Sequence, residues 1–392
     1  MADRRRPAGE ATQLIHGDNQ TAPLVSTVGP PVQRGSTVLM PDAASLYDAS
    51  QITYGRGGLA THQALTSALA QMEGATACRL FPSGLAAMTG AMLAVLKSGD
   101  RVLAPDSIYA PTRRFCDNVL TGFGITTIYY PPRAEAQEIL TLGGPGSRLL
   151  LLESPGSLTF EMQDVAALAA AARAQGVLTL IDNTWGAGLL FKPLAHGVDL
   201  SAQSLTKYVC GHSDVFMGSV CTANPELARK LDEAIWNLGW AVSPDDAYQA
   251  LRGLRTLAVR LARHGDSGLQ VAAWLAERPQ VQAILHPALP GAPDHALWRR
   301  DYAGACGLFS LVLRPAPEAA VDALLNALTL FGLGFSWGGF ESLAIACDPQ
   351  LRQRRAPPAL GGPLVRLHVG LEEPADLIDD LSRGLAAFDA TP

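Results

Sequence analysis

Long apolar runs are missing from this chain. No uninterrupted stretch approaches the roughly 20 residues a helix needs to cross a bilayer, so no membrane association is expected. The Arg4-Arg-Arg6 cluster has no apolar segment behind it and is not a signal peptide. There is no excess of positive charge. Thirty basic residues face 36 acidic ones for a net charge of −6, and without a basic stripe nucleic acid is excluded as a partner. The six cysteines (Cys78, Cys116, Cys210, Cys221, Cys306, Cys347) form no C-x-x-C pair and no zinc spacing. The eight histidines form no H-E-x-x-H pattern, so no metal site is expected. Scattered thiols suit a reducing compartment, and the expected location is cytoplasmic. Aromatics (6%) and charged residues (17%) are sparse, and no repeat or low-complexity segment is visible.

What is present is a 392-residue chain, 48% hydrophobic, with 38 glycines and 27 prolines, as in a loop-rich enzyme. At about 100–200 residues per domain the length predicts two domains. Residues 1–50 are rich in Pro, Gly and Thr and predict an extended arm suited to wrapping a partner subunit. Residues 51–242 alternate between short apolar strands and helical periods. Expected strands are Thr76–Phe81, Arg101–Ala104, Ile125–Tyr130, Arg148–Glu153, Val177–Ile181, one leading to Lys207, and Gly218–Thr222. Helices are expected at Leu59–Glu73, Leu85–Lys97, Pro111–Leu120 and Asp164–Gln175, with Gly74, Gly99 and Gly176 as stops. Such alternation predicts an α/β domain with a mostly parallel sheet covered on both faces. From residue 243 to 392 the pattern becomes a smaller α+β domain. A long helical stretch (Asp245–Leu275) precedes strands at Gly307–Leu313 and Leu364–Val369 and helices at Glu318–Leu330 and Pro374–Phe388.

Two residues carry the chemical argument. Lys207 is the only charge in Ser201-Ala-Gln-Ser-Leu-Thr-Lys-Tyr208 and stands among the hydroxyls of Ser204 and Thr206. An amine held there can form a Schiff base with an aldehyde once its pKa is lowered. A surface lysine at a turn would read the same from this stretch alone. Upstream, Val177-Leu-Thr-Leu-Ile181 reads as a buried parallel strand that Asp182 ends. A strand-end carboxylate in an open α/β sheet lies where such sheets bind ligands, although turn and cap aspartates are commoner. Pyridoxal 5'-phosphate needs a lysine for its aldehyde and an acid at its pyridine nitrogen, and Lys207 and Asp182 have the types and order to supply them.

Other residues join this pair. Phe81-Pro-Ser-Gly-Leu85 links a strand to a helix, so Ser83 and Gly84 could seat a phosphate or merely cap the helix. Tyr109 follows the next strand, where a ring could stack on a flat cofactor. Tyr54 and Arg56, in the loop Tyr54-Gly-Arg-Gly-Gly58, could add a hydroxyl and a cation. The loop follows no clear strand and is a poor dinucleotide fingerprint. Late in the chain stand Phe335-Ser-Trp-Gly-Gly339 and Arg366, an arginine between apolar strand residues that must pair with an anion or face water. A substrate α-carboxylate or a structural salt bridge would satisfy it.

In this order the set resembles the family of pyridoxal-phosphate enzymes of cysteine and methionine metabolism, from about Thr12 to Phe388. The resemblance implies the aspartate-aminotransferase-like fold (fold type I), with a seven-stranded-type sheet. Glu153-Ser-Pro-Gly-Ser157, Ser336-Trp-Gly-Gly-Phe-Glu-Ser342 and Asp106-Ser-Ile-Tyr-Ala-Pro-Thr-Arg-Arg-Phe115 look most like the bacterial branch that splits cystathionine by β-elimination. The γ-synthases and γ-lyases usually carry Ser-Pro-Thr-Asn-Pro at the first stretch and lack the Ser-Trp pair. The resemblance implies that Lys207 binds the cofactor aldehyde and acts as base, and that Asp182 keeps the pyridine nitrogen protonated. It implies Tyr109 against the ring and beside the substrate. Ser83, Gly84, Leu85, Ser204 and Thr206 would hold the phosphate, and Arg366, Ser336 and Trp337 the small amino-acid substrate. Tyr54 and Arg56 would reach the phosphate of a neighbouring subunit, which implies shared sites in a homotetramer, a dimer of dimers. Gly57 stands where the lyases often show a second arginine.

Overall fold

The computed structural model describes residues 9–16, 27–48 and 50–391. Residues 1–8 and 17–26 of the expected arm, with the Arg4–Arg6 cluster, lie outside the described residues. The described part of that segment includes a helix, Glu10–His16, and an isolated antiparallel bridge between Thr37 and Tyr54.

Seven strands form the first sheet: β1 Ala77–Phe81, β2 Arg101–Pro105, β3 Thr126–Tyr130, β4 Ser147–Glu153, β5 Leu178–Asp182, β6 Leu200–Ser204 and β7 Gly218–Thr222. Their spatial order is β1-β7-β6-β5-β4-β2-β3. Only β7 runs against the others, pairing antiparallel with β1 and β6. The remaining pairs are parallel. The continuous apolar run in β4 has a physical reason. Leu149, Leu150, Leu151 and Leu152 are all fully buried, and successive side chains enter opposite layers. Leu150 and Leu152 pack with helices Ala60–Glu73 and Val165–Ala174 on one face. Leu149 and Leu151 pack with helices Gly84–Val95 and Pro225–Leu238 on the other. Each such leucine is worth about 1.5–3 kcal/mol of burial. Because six strands are parallel, their carboxyl ends share one edge of the sheet, and the turns after β1, β2, β4, β5 and β6 meet there.

The second sheet contains β8 Val281–Leu285, β9 Leu308–Leu313, β10 Gly332–Leu333, β11 Leu343–Ala346 and β12 Leu364–His368, in the order β10-β11-β12-β9-β8. Helices Leu257–Ala276, Glu318–Ala327 and Pro374–Ala390 bury Val365 and Leu367 of β12 on one face. Alternation then turns Arg366 and His368 to the other face.

Some expectations change. The long helical stretch expected over Asp245–Leu275 is two helices, Pro244–Arg255 and Leu257–Ala276, parted at Thr256. The break is held by Arg260, whose guanidinium donates to the Gly253 carbonyl at 2.7 Å and to the Tyr208 carbonyl at 2.6 Å. The helix expected over Pro111–Leu120 is α-helical only over Ala110–Arg114 and then widens to a π-helical turn, Phe115–Leu120. Helices Ala136–Gly143 and Pro225–Leu238 and strand Val281–Leu285 were not expected. The last is an edge strand whose residues are only partly buried, so its apolar alternation is weak.

Candidate active site

Lys207 lies three residues beyond β6, in a turn held by backbone bonds. Its N–H donates to the Ser204 carbonyl at 3.2 Å, and its own carbonyl accepts from Gly211 at 2.8 Å. Thr206 pins the turn to Met217, whose N–H donates to the Thr206 hydroxyl at 3.0 Å. Gly338, at φ +82°, passes directly against the turn, and a Cβ there would come within 2.9 Å of Lys207 Cβ. The Lys207 Nζ donates to Ser336 Oγ at 2.8 Å and lies 5.4 Å from the centre of the Trp337 ring. Burial, with the nearby Arg366 cation, lowers its pKa to about 8, while Asp182 opposes the shift. An amine with that pKa is about one-tenth uncharged at pH 7, far more than an ordinary lysine, and that fraction can act as nucleophile or base.

Asp182 ends β5. Its Oδ1 accepts from the Thr184 N–H at 3.0 Å and from the Thr184 hydroxyl, which in turn accepts from the Ser204 N–H at 2.9 Å. That chain ties the aspartate to the end of β6. Glu153 ends β4 directly opposite Asp182. It accepts from the Tyr109 N–H at 2.7 Å and is hydrogen-bonded to the Ser157 hydroxyl. Burial raises both carboxylic acids, and the field of Asp182 adds to the shift on Glu153, whose pKa reaches about 8. The Thr184 hydrogen bonds and the Lys207 charge work against the burial of Asp182 and favour its ionised form.

Helix Gly84–Val95 starts at Ser83, whose Oγ accepts from the Ala86 N–H at 3.1 Å. Its first residue must be glycine. A Cβ on Gly84 would sit 2.3 Å from Ser204 Cβ and 2.5 Å from Ser204 Oγ. The positive end of a twelve-residue helix therefore abuts the strand that leads to the lysine.

These groups surround one cavity of about 600 Å³. Ser83, Gly84, Leu85, Ser204 and Thr206 line it together with Asp182 and Lys207. Tyr109, Trp337 and Arg366 also line it. Tyr109 precedes helix Ala110–Arg114 and exposes 43% of its surface. Arg366 is buried. Its Nη2 donates to the carbonyls of Phe335 at 2.8 Å and Ser336 at 3.3 Å, and it pairs with no carboxylate among the described residues. Ser336 meets the site through its bond to Lys207. Tyr54 and Arg56 are not brought to this cavity. They line a separate hollow with Gly35 and His62, where Arg56 stacks 4.2 Å from the centre of the Trp236 ring.

Sequence reasoning passed over Glu153, Thr184 and His368. The first two follow from strand ends already singled out. His368 left no such signal. It accepts from the Gly338 N–H at 3.0 Å, and burial lowers its pKa to about 3, so it holds the Ser336–Gly339 loop as a neutral ring.

The residues fit pyridoxal phosphate. The glycine-cradled helix end suits a phosphate, Asp182 a protonated ring nitrogen, and Lys207 an aldehyde. The volume is that of a cofactor pocket. A family profile described as Cys/Met metabolism PLP-dependent enzyme matches residues 11–386. The chain is 43% identical to a cystathionine β-lyase of Bordetella avium over 91% of each chain. It is 40% identical to a cystathionine β-lyase of Escherichia coli, covering 98% of this chain and 99% of that one. The structure of cystathionine γ-synthase from Xanthomonas oryzae pv. oryzae, in complex with cystathionine, superposes with a TM-score of 0.92 at 31% identity, covering 99% of this chain and 100% of that one. The profile spans every group around the cavity, and the strand-end aspartate, the lysine and the glycine-cradled turn are the parts such a cofactor requires. The chain belongs to the Cys/Met metabolism PLP-dependent enzymes.

Proposed function

We propose that this protein is a carbon–sulfur lyase that cleaves L-cystathionine by β-elimination, giving homocysteine, pyruvate and ammonia. The observation that carries the reading is one cavity holding a lysine of lowered pKa, a buried strand-end aspartate and a buried arginine that pairs with no carboxylate among the described residues. The two β-lyase relatives support the same reaction. When bound, pyridoxal phosphate supplies the electron sink for the pair left on the amino-acid Cα. The helix N–H groups at Gly84 and Leu85 and the hydroxyls of Ser83, Ser204 and Thr206 hold its phosphate. Asp182 would hold a proton on its ring nitrogen, and Tyr109 would cover the ring. Lys207 would anchor it at rest. Arg366 and Ser336 hold the substrate α-carboxylate, with Trp337 beside it. The freed Lys207 amine takes the Cα proton, and the thiolate leaves Cβ with the bonding pair. The keto acid released tests the reaction. Cofactor-loaded enzyme given L-cystathionine should release pyruvate. Release of 2-oxobutyrate would assign γ-cleavage, and release of neither would overturn the reading.

Tyr54 and Arg56, outside their own chain's cavity, serve the phosphate of a neighbouring subunit in a homotetramer built as a dimer of dimers. Exposed apolar side chains on the cavity wall, Phe216 at 76% and Phe335 at 77%, support a covering partner. Subunits carrying Arg56→Ala and subunits carrying Lys207→Ala, each inactive alone, should recover activity when mixed. A mixed dimer then has a site with both residues intact. Mixed dimers that form and remain inactive would refute the shared site.

A further inference from the structure

Between β11 and β12 the chain leaves the second sheet, and Gln350, Gln353 and Arg354 come to line the cavity. Two buried charges fasten this strap, residues 350–356, to the cofactor wall. Asp106, just beyond β2, accepts from the Arg355 N–H at 2.9 Å, the Ala356 N–H at 2.8 Å and the Arg113 guanidinium at 2.5 Å. Arg354 reaches into the loop after β4. Its Nη2 donates to the Ser157 carbonyl at 2.7 Å and to Thr159 Oγ1 at 2.6 Å, and its Nη1 to Glu161 Oε1 at 3.3 Å. The side chains of the Arg354–Glu161 pair are buried. The loop needs such a hold. Leu158 and Phe160 have left-handed backbone, at φ +69° and +55°, which large side chains seldom adopt. A strained backbone of this kind persists only where its surroundings impose it. The three residues that Arg354 grips, Ser157, Thr159 and Glu161, alternate with these two.

The loop bears on Tyr109. The Ser157 hydroxyl donates to Glu153, and Glu153 accepts from the Tyr109 N–H at 2.7 Å. The Ser157 N–H donates to the Ser107 carbonyl at 3.0 Å, two residues before Tyr109, and the Asp106 clamp lies one residue earlier. The tyrosine side chain is 43% exposed, so its place is set by its backbone. We infer that Arg354 is a positioning residue that acts through the loop 157–161 and Glu153 to hold Tyr109 in place on the cofactor. The strap continues into β12, which carries Arg366, so the same clamp ties the strand of that arginine to the Tyr109 wall. Arg354 is itself neutralised by Glu161, and its role is in the wall and not on the substrate. The inference rests on the reading that Tyr109 covers the ring and extends it to the residue that keeps it there.

Titration of apoenzyme with pyridoxal phosphate reads the effect without turnover, so its result is independent of the lyase reading. Arg354→Gln should weaken cofactor binding by roughly two- to tenfold, the worth of one aromatic stack. Tyr109→Ala should weaken it by a similar factor. In the double variant Arg354→Gln should add nothing further, because the contact through which it acts is already gone. Arg354→Lys keeps the charge beside Glu161 but loses the fork that spans three acceptors, and it should recover only part of the loss. Wild-type affinity in Arg354→Gln would overturn the inference. So would an equal loss in the presence and absence of Tyr109, which would make Arg354 a general brace. Unchanged affinity in Tyr109→Ala alone would remove the ring reading and this inference with it. If thermal melts show that Arg354→Gln does not fold, Glu161→Gln decides by the same cycle and the same outcomes, since it keeps the shape and removes only the countercharge.

Discussion

Lys207→Ala should abolish turnover. The loss of the general base alone lowers kcat by about 10²–10⁴-fold, and the covalent anchor goes with it. The fold should survive. The lysine amine makes one hydrogen bond, to Ser336, and the turn around it is held by main-chain groups and Thr206. The sign of the stability change follows from the lowered pKa of about 8, below the ordinary 10.5. Between those values the unfolded chain binds more protons than the folded one, so this group makes stability rise with pH over that window. Below pH 8 the buried charge destabilises the fold. The apoenzyme of Lys207→Ala should therefore be at least as stable as wild-type apoenzyme at pH 7, and it should lose the rise towards pH 10. Apoenzyme is the right comparison, because bound cofactor adds its own stabilisation. Thermal melts across pH check this, beside the rate assay. In wild-type apoenzyme, capture of pyridoxal phosphate should accelerate through pH 8. A midpoint near 10.5 would show an ordinary surface amine.

Arg366→Lys should lower kcat/KM on cystathionine by roughly ten- to a hundredfold. Lysine keeps the charge but loses the planar fork that holds a carboxylate with two parallel bonds, and each such bond is worth about 1.5–3 kcal/mol. Among the described residues no carboxylate pairs with the arginine, which donates to the Phe335 and Ser336 carbonyls, so a structural salt bridge does not account for it there. Those bonds also orient the loop that presents Ser336 to Lys207, so part of the loss should appear in kcat. Cofactor colour should remain. The measurement is kcat/KM together with the thermal midpoint. Normal turnover with a lowered midpoint would move Arg366 from the site to the scaffold.

Much of this site was legible because its groups sit where the chain changes element. Asp182 closes an apolar strand, Ser83 and Gly84 open a helix, and Lys207 stands alone in an uncharged stretch. The local patterns that mark strand and helix ends thus mark the site as well. Three other features depend on distant pairing and left no local trace. Glu153 matters because it faces Asp182 across two strands, and His368 because it reaches Gly338 thirty residues away. The break at Thr256 depends on Arg260 bonding back to Gly253 and across to Tyr208. The edge strand Val281–Leu285 was hidden because its side chains are too exposed to keep an apolar period.

The central claim is that Lys207 is the group that binds the cofactor. Reduction of the yellow holoenzyme with borohydride, followed by digestion and mass mapping, tests it in a single step. The account predicts one labelled peptide, with the pyridoxyl group on Lys207. Label on another lysine, or a protein that binds no cofactor at all, would contradict it.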